Sequence, residues 1–195
     1  ANWFSYYRSR VNAMKSSAGE AFRVVDDSFR VGFHTINNPS SSGSSGGFLP
    51  LATFTGAART TWYTRFYEQI PGSGTPLRAA HQRIGEYYRA GTSPAGGSVA
   101  DPIQYSCQQN YHILTTDGQW NGAGASGTAG STNFDNTVPA TNPLLPAALS
   151  AEFGTSITAG SDWPRPYREK PSTGSTNTLA DISAYYWLTD LRPTM

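Results

Sequence analysis

The chain is poor in charge. Of its 195 residues only 14% are Asp, Glu, Lys or Arg, and 14 basic side chains nearly cancel 13 acidic ones. A surface that follows phosphates needs clustered Lys and Arg. Here the basic residues are nearly all Arg and are scattered, with Arg8 and Arg10, and Arg165 and Arg168, the closest groupings. Such a pattern reads as ordinary solvated faces and excludes nucleic acid as a partner. There is no run of about 18 apolar residues, so no transmembrane helix is expected. A signal-peptide pattern is also missing: Ala1 opens directly into a helix-like stretch, and export information is expected to have been removed or to lie upstream. The single cysteine, Cys107, excludes a disulfide within the chain. It is expected to pair with a cysteine elsewhere, to be a free thiol, or to be a buried, inert thiol beside a strand.

What is present is Gly, Ser, Thr and Asn in quantity, with 13% aromatics. A surface of Ser, Thr, Asn and Tyr with little Lys or Glu is typical of exported proteins. The length suits one domain with a sizeable core.

Along the chain, Phe4, Tyr7, Val11, Met14, Ala18 and Phe22 recur at steps of three and four, which predicts an amphipathic helix over 3–22. Asp26-Asp27 marks a turn, and 29–36 (FRVGFHTI) reads as a strand, largely apolar on both faces. The stretch 37–47 is a low-complexity loop, and 48–54 (FLPLATF) is a strand that Pro50 confines to an edge. A short helix over 61–70 places Trp62, Phe66 and Ile70 on one face. Pro76 starts a helix running to about Ala90, with Leu77, Ala80, Ile84 and Tyr87 or Tyr88 inward. Residues 91–102 form a polar linker. Residues 110–116 (NYHILTT) read as a buried strand ended by Asp117-Gly118. From 119 to 176 the chain shows no periodicity and reads as a surface insertion. Thr178 and Asp181 form a capping box that opens a last helix over 179–190, with Leu179, Ile182 and Tyr186 inward. Strands alternating with helices imply a mostly parallel sheet with helices on both faces.

One pair of residues could carry chemistry. Thr75 lies in the turn before a helix, and Asp117 at the carboxyl end of the 110–116 strand. Ligands of open α/β sheets bind outside the carboxyl ends of strands. A hydroxyl and a carboxylate there suit a hard cation such as Mg²⁺, Mn²⁺ or Ca²⁺. A helix-starting Thr and a turn-forming Asp account for the same residues without a metal.

ILTTDG at 113–118 with GSGTPL at 72–77 resembles the von Willebrand factor A-like domain. The segments at 1–15, 30–37, 74–88, 107–122 (CQQNYHILTTDGQWNG) and 178–193 (TLADISAYYWLTDLRP) are similar, more specifically, to the type IV pilus tip-associated biogenesis factors, the PilY/PilC family. The resemblance implies a partial von Willebrand A-like domain over 1–195, an incomplete α/β fold that lacks its first strand and the C-terminal calcium-binding propeller of the family. It implies a metal-ion-dependent adhesion site in which Thr75 supplies the second-loop hydroxyl and Asp117 the third-loop carboxylate. The first-loop Asp-x-Ser-x-Ser is absent from this chain, so Mg²⁺ or Ca²⁺ is expected in the intact domain and weak or no binding here. The implied role is non-enzymatic: surface adhesion and pilus assembly at a pilus tip, after export through the periplasm. The implied partners are minor pilins, a host or surface ligand, and a segment supplying the missing central strand.

Other features weigh less. Gly43-Ser44-Ser45-Gly46-Gly47 fits a hydrolase nucleophile pattern, which has meaning only on a strand-turn-helix elbow, not in a low-complexity loop. His34, His81 and His112 have no acid at triad or metal-ligand spacing and read as structural. Trp62-Tyr63 and Tyr185-Tyr186-Trp187 keep open an alternative: an exported carbohydrate-binding or carbohydrate-active domain.

Overall fold

A computed structural model describes residues 5, 8–38, 46–133 and 175–195. Helix α1 spans Arg10–Ala21 and opens where Ser9 Oγ accepts the Asn12 amide at 3.2 Å. It starts later than the periodicity suggests. Phe4 and Tyr7 lie outside the described residues, and Met14 is exposed. Ala18 and, in a 3₁₀ turn at Phe22–Val24, Phe22 pack on the core.

Strands β1 (Arg30–His34) and β2 (Phe48–Thr53) form an antiparallel pair, the one sheet among the described residues. Its register runs from Arg30 opposite Thr53 to His34 opposite Phe48, with an irregularity between Val31 and Phe33. The bulge falls beside Pro50, which cannot donate to a ladder, so the break lies where the sequence requires one.

Side chains alternate across the hairpin. On one face Val31, Phe33 and Leu49 pack with Phe54 against Trp62 and Phe66 of α2, Gly56–Glu68. Trp62 stacks on Phe66 at 5.0 Å, meets Phe22 at 4.8 Å, and donates its indole N–H to Gly32 O at 3.1 Å. On the other face Phe48 meets Tyr87 of α3, Leu77–Ala90, edge-on at 5.3 Å. The Leu51 amide donates to the Tyr87 hydroxyl at 2.9 Å.

Helix α2 begins five residues before 61 and stops at Glu68, so Ile70 is 89% exposed rather than on the buried face. The reason is Pro71, whose ring disfavours helical geometry at the residue before it. Helix α3 buries Leu77, Ala80 and Tyr87 and ends at Gly91 in the left-handed region, whose amide reaches Tyr87 O at 2.8 Å.

The strand expected over 110–116 does not form. The segment is irregular, makes no backbone-to-backbone hydrogen bond among the described residues, and leaves Tyr111 72% and Ile113 77% exposed. A strand needs a partner to satisfy its amides and carbonyls. This segment has side-chain neighbours only: Tyr88 Oη donates to Tyr111 O at 3.0 Å, and His112 stacks on His81. The described sheet is accordingly antiparallel, where a mostly parallel one was expected.

The insertion expected over 119–176 is ordered where it meets α3. A short helix, α4, spans Gly127–Ser131. Gln82 accepts the Ser126 amide at 2.8 Å and donates to Ser126 O at 2.9 Å. Asn177, at φ 61°, clasps Ala125 through both its backbone groups at 2.7 and 2.9 Å. Residues 134–174 lie outside the described set.

The last helix, α5, spans Leu179–Leu188 and carries the expected capping box: Thr178 Oγ1 accepts the Asp181 amide at 3.1 Å, and Asp181 accepts the Thr178 amide at 3.3 Å. Ile182, Ala184 and Tyr185 are buried, and α5 lies on α3 where Gly85 leaves room for the Tyr186 ring.

Candidate functional site

Three loops and the start of α1 meet at one end of the molecule. The loop before α3 carries Thr75, which is half-buried. The loop after 110–116 carries the exposed Asp117. Asn121 ties the two loops together: its Oδ1 accepts the Thr75 amide at 2.8 Å, and its own amide donates to Thr75 O at 3.1 Å. Asn37, just past β1, donates its side-chain amide to Gly72 O at 2.9 Å and to Gly74 O. A Cβ at Gly74 would stand 2.5 Å from Asn121 Oδ1, so a larger residue there would push the Asn121 side chain off the loop. From α1, Arg10 reaches the Asp117 carboxylate.

The sequence-derived pair is thus placed on adjoining loops, although no hydrogen bond joins Thr75 to Asp117 among the described residues. Asn37, Asn121 and Arg10 were not anticipated. The turn-forming runs Asn37-Asn38-Pro39 and Asn121-Gly122 are the only hint of the first two in the sequence. Nothing local in the sequence marks Arg10, whose partner is 107 positions away.

The chemistry of this donor set is oxygen-rich but thin in charge. Hard cations take about six oxygen ligands, usually with several carboxylates. Among the described residues there is no group of three or more His, Cys, Asp or Glu able to hold a metal ion. Among the described residues Asp117 is the one carboxylate at the convergence, and a guanidinium occupies it. These residues alone do not fit a divalent ion. Both partners of the pair are largely exposed, so Arg10 is held weakly and can be displaced at small cost.

The other candidates resolve differently. Cys107 is an exposed free thiol in a turn, not a buried one. Ser45 lies outside the described residues. Trp62 and Tyr185 are core residues, 4% exposed each, so neither is available to a platform for sugars. Trp187 of the second group is exposed. His34, His81 and His112 are gathered around α3.

No family model matches the chain, and no solved structure matches it. Curated proteins do. The chain resembles type IV pilus biogenesis factors along nearly its whole length. It is 36% identical over 204 residues to "Type IV pilus biogenesis factor PilY1" of Pseudomonas aeruginosa strain PAK, covering 99% of this chain and 15% of that protein. It is 31% identical over 199 residues to the protein of the same name from strain UCBPP-PA14, covering 100% of this chain and 15% of that protein. The chain therefore spans about 15% of the length of the curated relatives it matches. Among the described residues, no helix is long and apolar enough to cross a membrane.

Proposed function

We propose that this chain is a structural module of a type IV pilus biogenesis factor, acting without catalysis in pilus assembly and surface adhesion at the pilus tip. The observation that carries the reading is similarity over essentially the entire chain to proteins named for that role. The convergence of loops around Thr75 and Asp117 supplies the place where a ligand would be held. Its location is the cell surface, reached by export through the periplasm, and its partners are minor pilins together with a host or surface ligand.

In this reading the fold is a von Willebrand A-like sheet that is completed from outside the chain. The hairpin is covered by α2 on one face and α3 on the other, as strands of a doubly covered sheet are. An antiparallel edge strand such as β2 is common on otherwise parallel sheets. Among the described residues one edge of β1 carries no ladder, and 110–116, a strand-forming sequence with no strand partner there, lies against α3. A strand from the rest of the parent protein, inserted between them, would satisfy both by β-augmentation. It would also bring the further oxygens that Mg²⁺ or Ca²⁺ requires beside Thr75 and Asp117, with Arg10 turned away from the carboxylate.

The test is genetic. Asp117→Ala in the parent protein, expressed at native level, should reduce adhesion to surfaces at least several-fold while leaving the protein folded and exported. Deletion of the whole module should lower the number of surface pili. Unchanged pilus number and adhesion in the deletion strain would contradict the reading.

A further inference from the structure

Three histidines with no part in the proposed adhesion site meet around α3. His34 comes from β1, His81 from α3 itself, and His112 from the segment 110–116. Their hydrogen bonds decide where the protons sit. His34 Nδ1 lies 3.2 Å from Gly47 O, a carbonyl that can only accept, so Nδ1 carries the hydrogen. Nε2 then offers a lone pair, to which Arg83 Nε donates at 3.3 Å. Ser183 Oγ, on α5, donates to Leu179 O at 2.8 Å, so in its 3.2 Å contact with His81 Nε2 the imidazole is the donor. His81 Nδ1 is buried with no partner among the described residues. The His112 ring stacks on His81 with centroids 4.8 Å apart and planes 21° from parallel.

A second proton has no good place on His34 or His81. On His34 it would set an N–H against the N–H of Arg83, cation facing cation. On His81 it would put an unsatisfied donor and a charge in the interior, face to face with His112. Among the described residues no carboxylate nearby is free to compensate. Glu86, the one acid of α3, accepts the Tyr186 hydroxyl at 2.7 Å and pairs with Arg89 at 3.6 Å. Tyr186 of α5 presents its ring edge-on to His81 at 6.2 Å. Asp181 of α5 is engaged by the Thr178 cap.

We infer that the three histidines form an acid-sensitive clasp, which fastens α3 to β1 and to the 110–116 segment while the rings are neutral and loosens it when they are protonated. Burial first, and then Arg83, pulls His34 from 6.5 down to about 4, and burial with His112 beside it pulls His81 down to about 4. With the folded values depressed, the loosened state binds more protons. Fastening is therefore intact above about pH 6.5 and is lost progressively as pH falls towards about 4. A shift of about 2.5 units corresponds to roughly a 300-fold change in the fastened-to-loosened ratio for each histidine set free. Thr75 precedes α3 and Asp117 follows His112, so the clasp also controls how the two loops sit. That consequence rests on the adhesion site proposed above, whereas the clasp itself does not.

The experiment uses the intact parent protein and no ligand. Imidazole C2 hydrogen–deuterium exchange read by mass spectrometry gives a midpoint for each histidine, and amide exchange corrected for intrinsic rate reports on 30–34 and 77–90, which carry their own ladder and helix hydrogen bonds. His34 and His81 should titrate well below 6.5, and protection of both stretches should fall together between pH 6.5 and 4. In His112→Gln the loss of protection should move to lower pH. An ordinary midpoint near 6.5 for His81 would overturn the clasp, as would protection unchanged down to pH 4 or an unshifted transition in His112→Gln. Failure of the adhesion test above would leave all three readouts as expected.

Discussion

Trp62→Ala should cost about 3–5 kcal/mol of folding stability, the range for deleting a large aromatic from a packed core. Trp62 is 4% exposed and is the hub of one side of the molecule. Its ring meets Phe22 at 4.8 Å, Phe66 at 5.0 Å, Phe54 at 5.6 Å and Phe33 at 6.2 Å, which joins α1, α2 and both flanks of the hairpin. Its indole N–H also satisfies Gly32 O, which the alanine would leave without that donor. Urea unfolding followed by far-ultraviolet circular dichroism reads the loss directly. Trp62→Phe should recover much of it, because the ring volume is restored and only the hydrogen bond and part of the contact are missing.

Gly85→Val should be the second most damaging single change on the other side of the sheet. At Gly85 a Cβ would stand 2.2 Å from Tyr186 Cε1, closer than any two carbons pack. The Tyr186 ring cannot simply swing aside, since its hydroxyl donates to Glu86 at 2.7 Å and its edge faces His81. Helix α5 must therefore back away from α3, and overpacking of this kind typically costs about 1–3 kcal/mol. The loss should show as lower urea resistance together with faster amide exchange across 179–188. Gly85→Ala should be milder, because alanine's better helix propensity returns about 1 kcal/mol.

Both sites show what the sequence carries and what it leaves out. The capping box at Thr178–Asp181, the proline start of α3 and the burial of Trp62 and Phe66 are local or periodic features, and each is readable from spacing alone. Ile70 fits the same periodicity yet lies outside its helix, because Pro71 acts on the residue before it more strongly than the apolar pattern does. The 110–116 segment has β-branched and aromatic content but forms no strand, since a ladder is a property of two segments and its composition describes one. Thr75 and Asp117 could be picked out from their positions before a helix and after a strand-like run. Arg10, Asn37 and Asn121 could not, because each acts on a loop far away in the chain.

The central claim is that β1 and 110–116 are two strands of one sheet whose intervening strand comes from the rest of the parent protein. Amide hydrogen exchange at neutral pH tests it most directly, comparing the 195-residue chain with the full parent protein. In the chain alone, the outer-edge amides of β1 and those of 111–116 should exchange close to unprotected rates. In the parent they should be slowed by about two orders of magnitude or more, as core ladder amides are. Rapid exchange of 111–116 in the intact parent protein, with the rest of the module protected, would contradict the account.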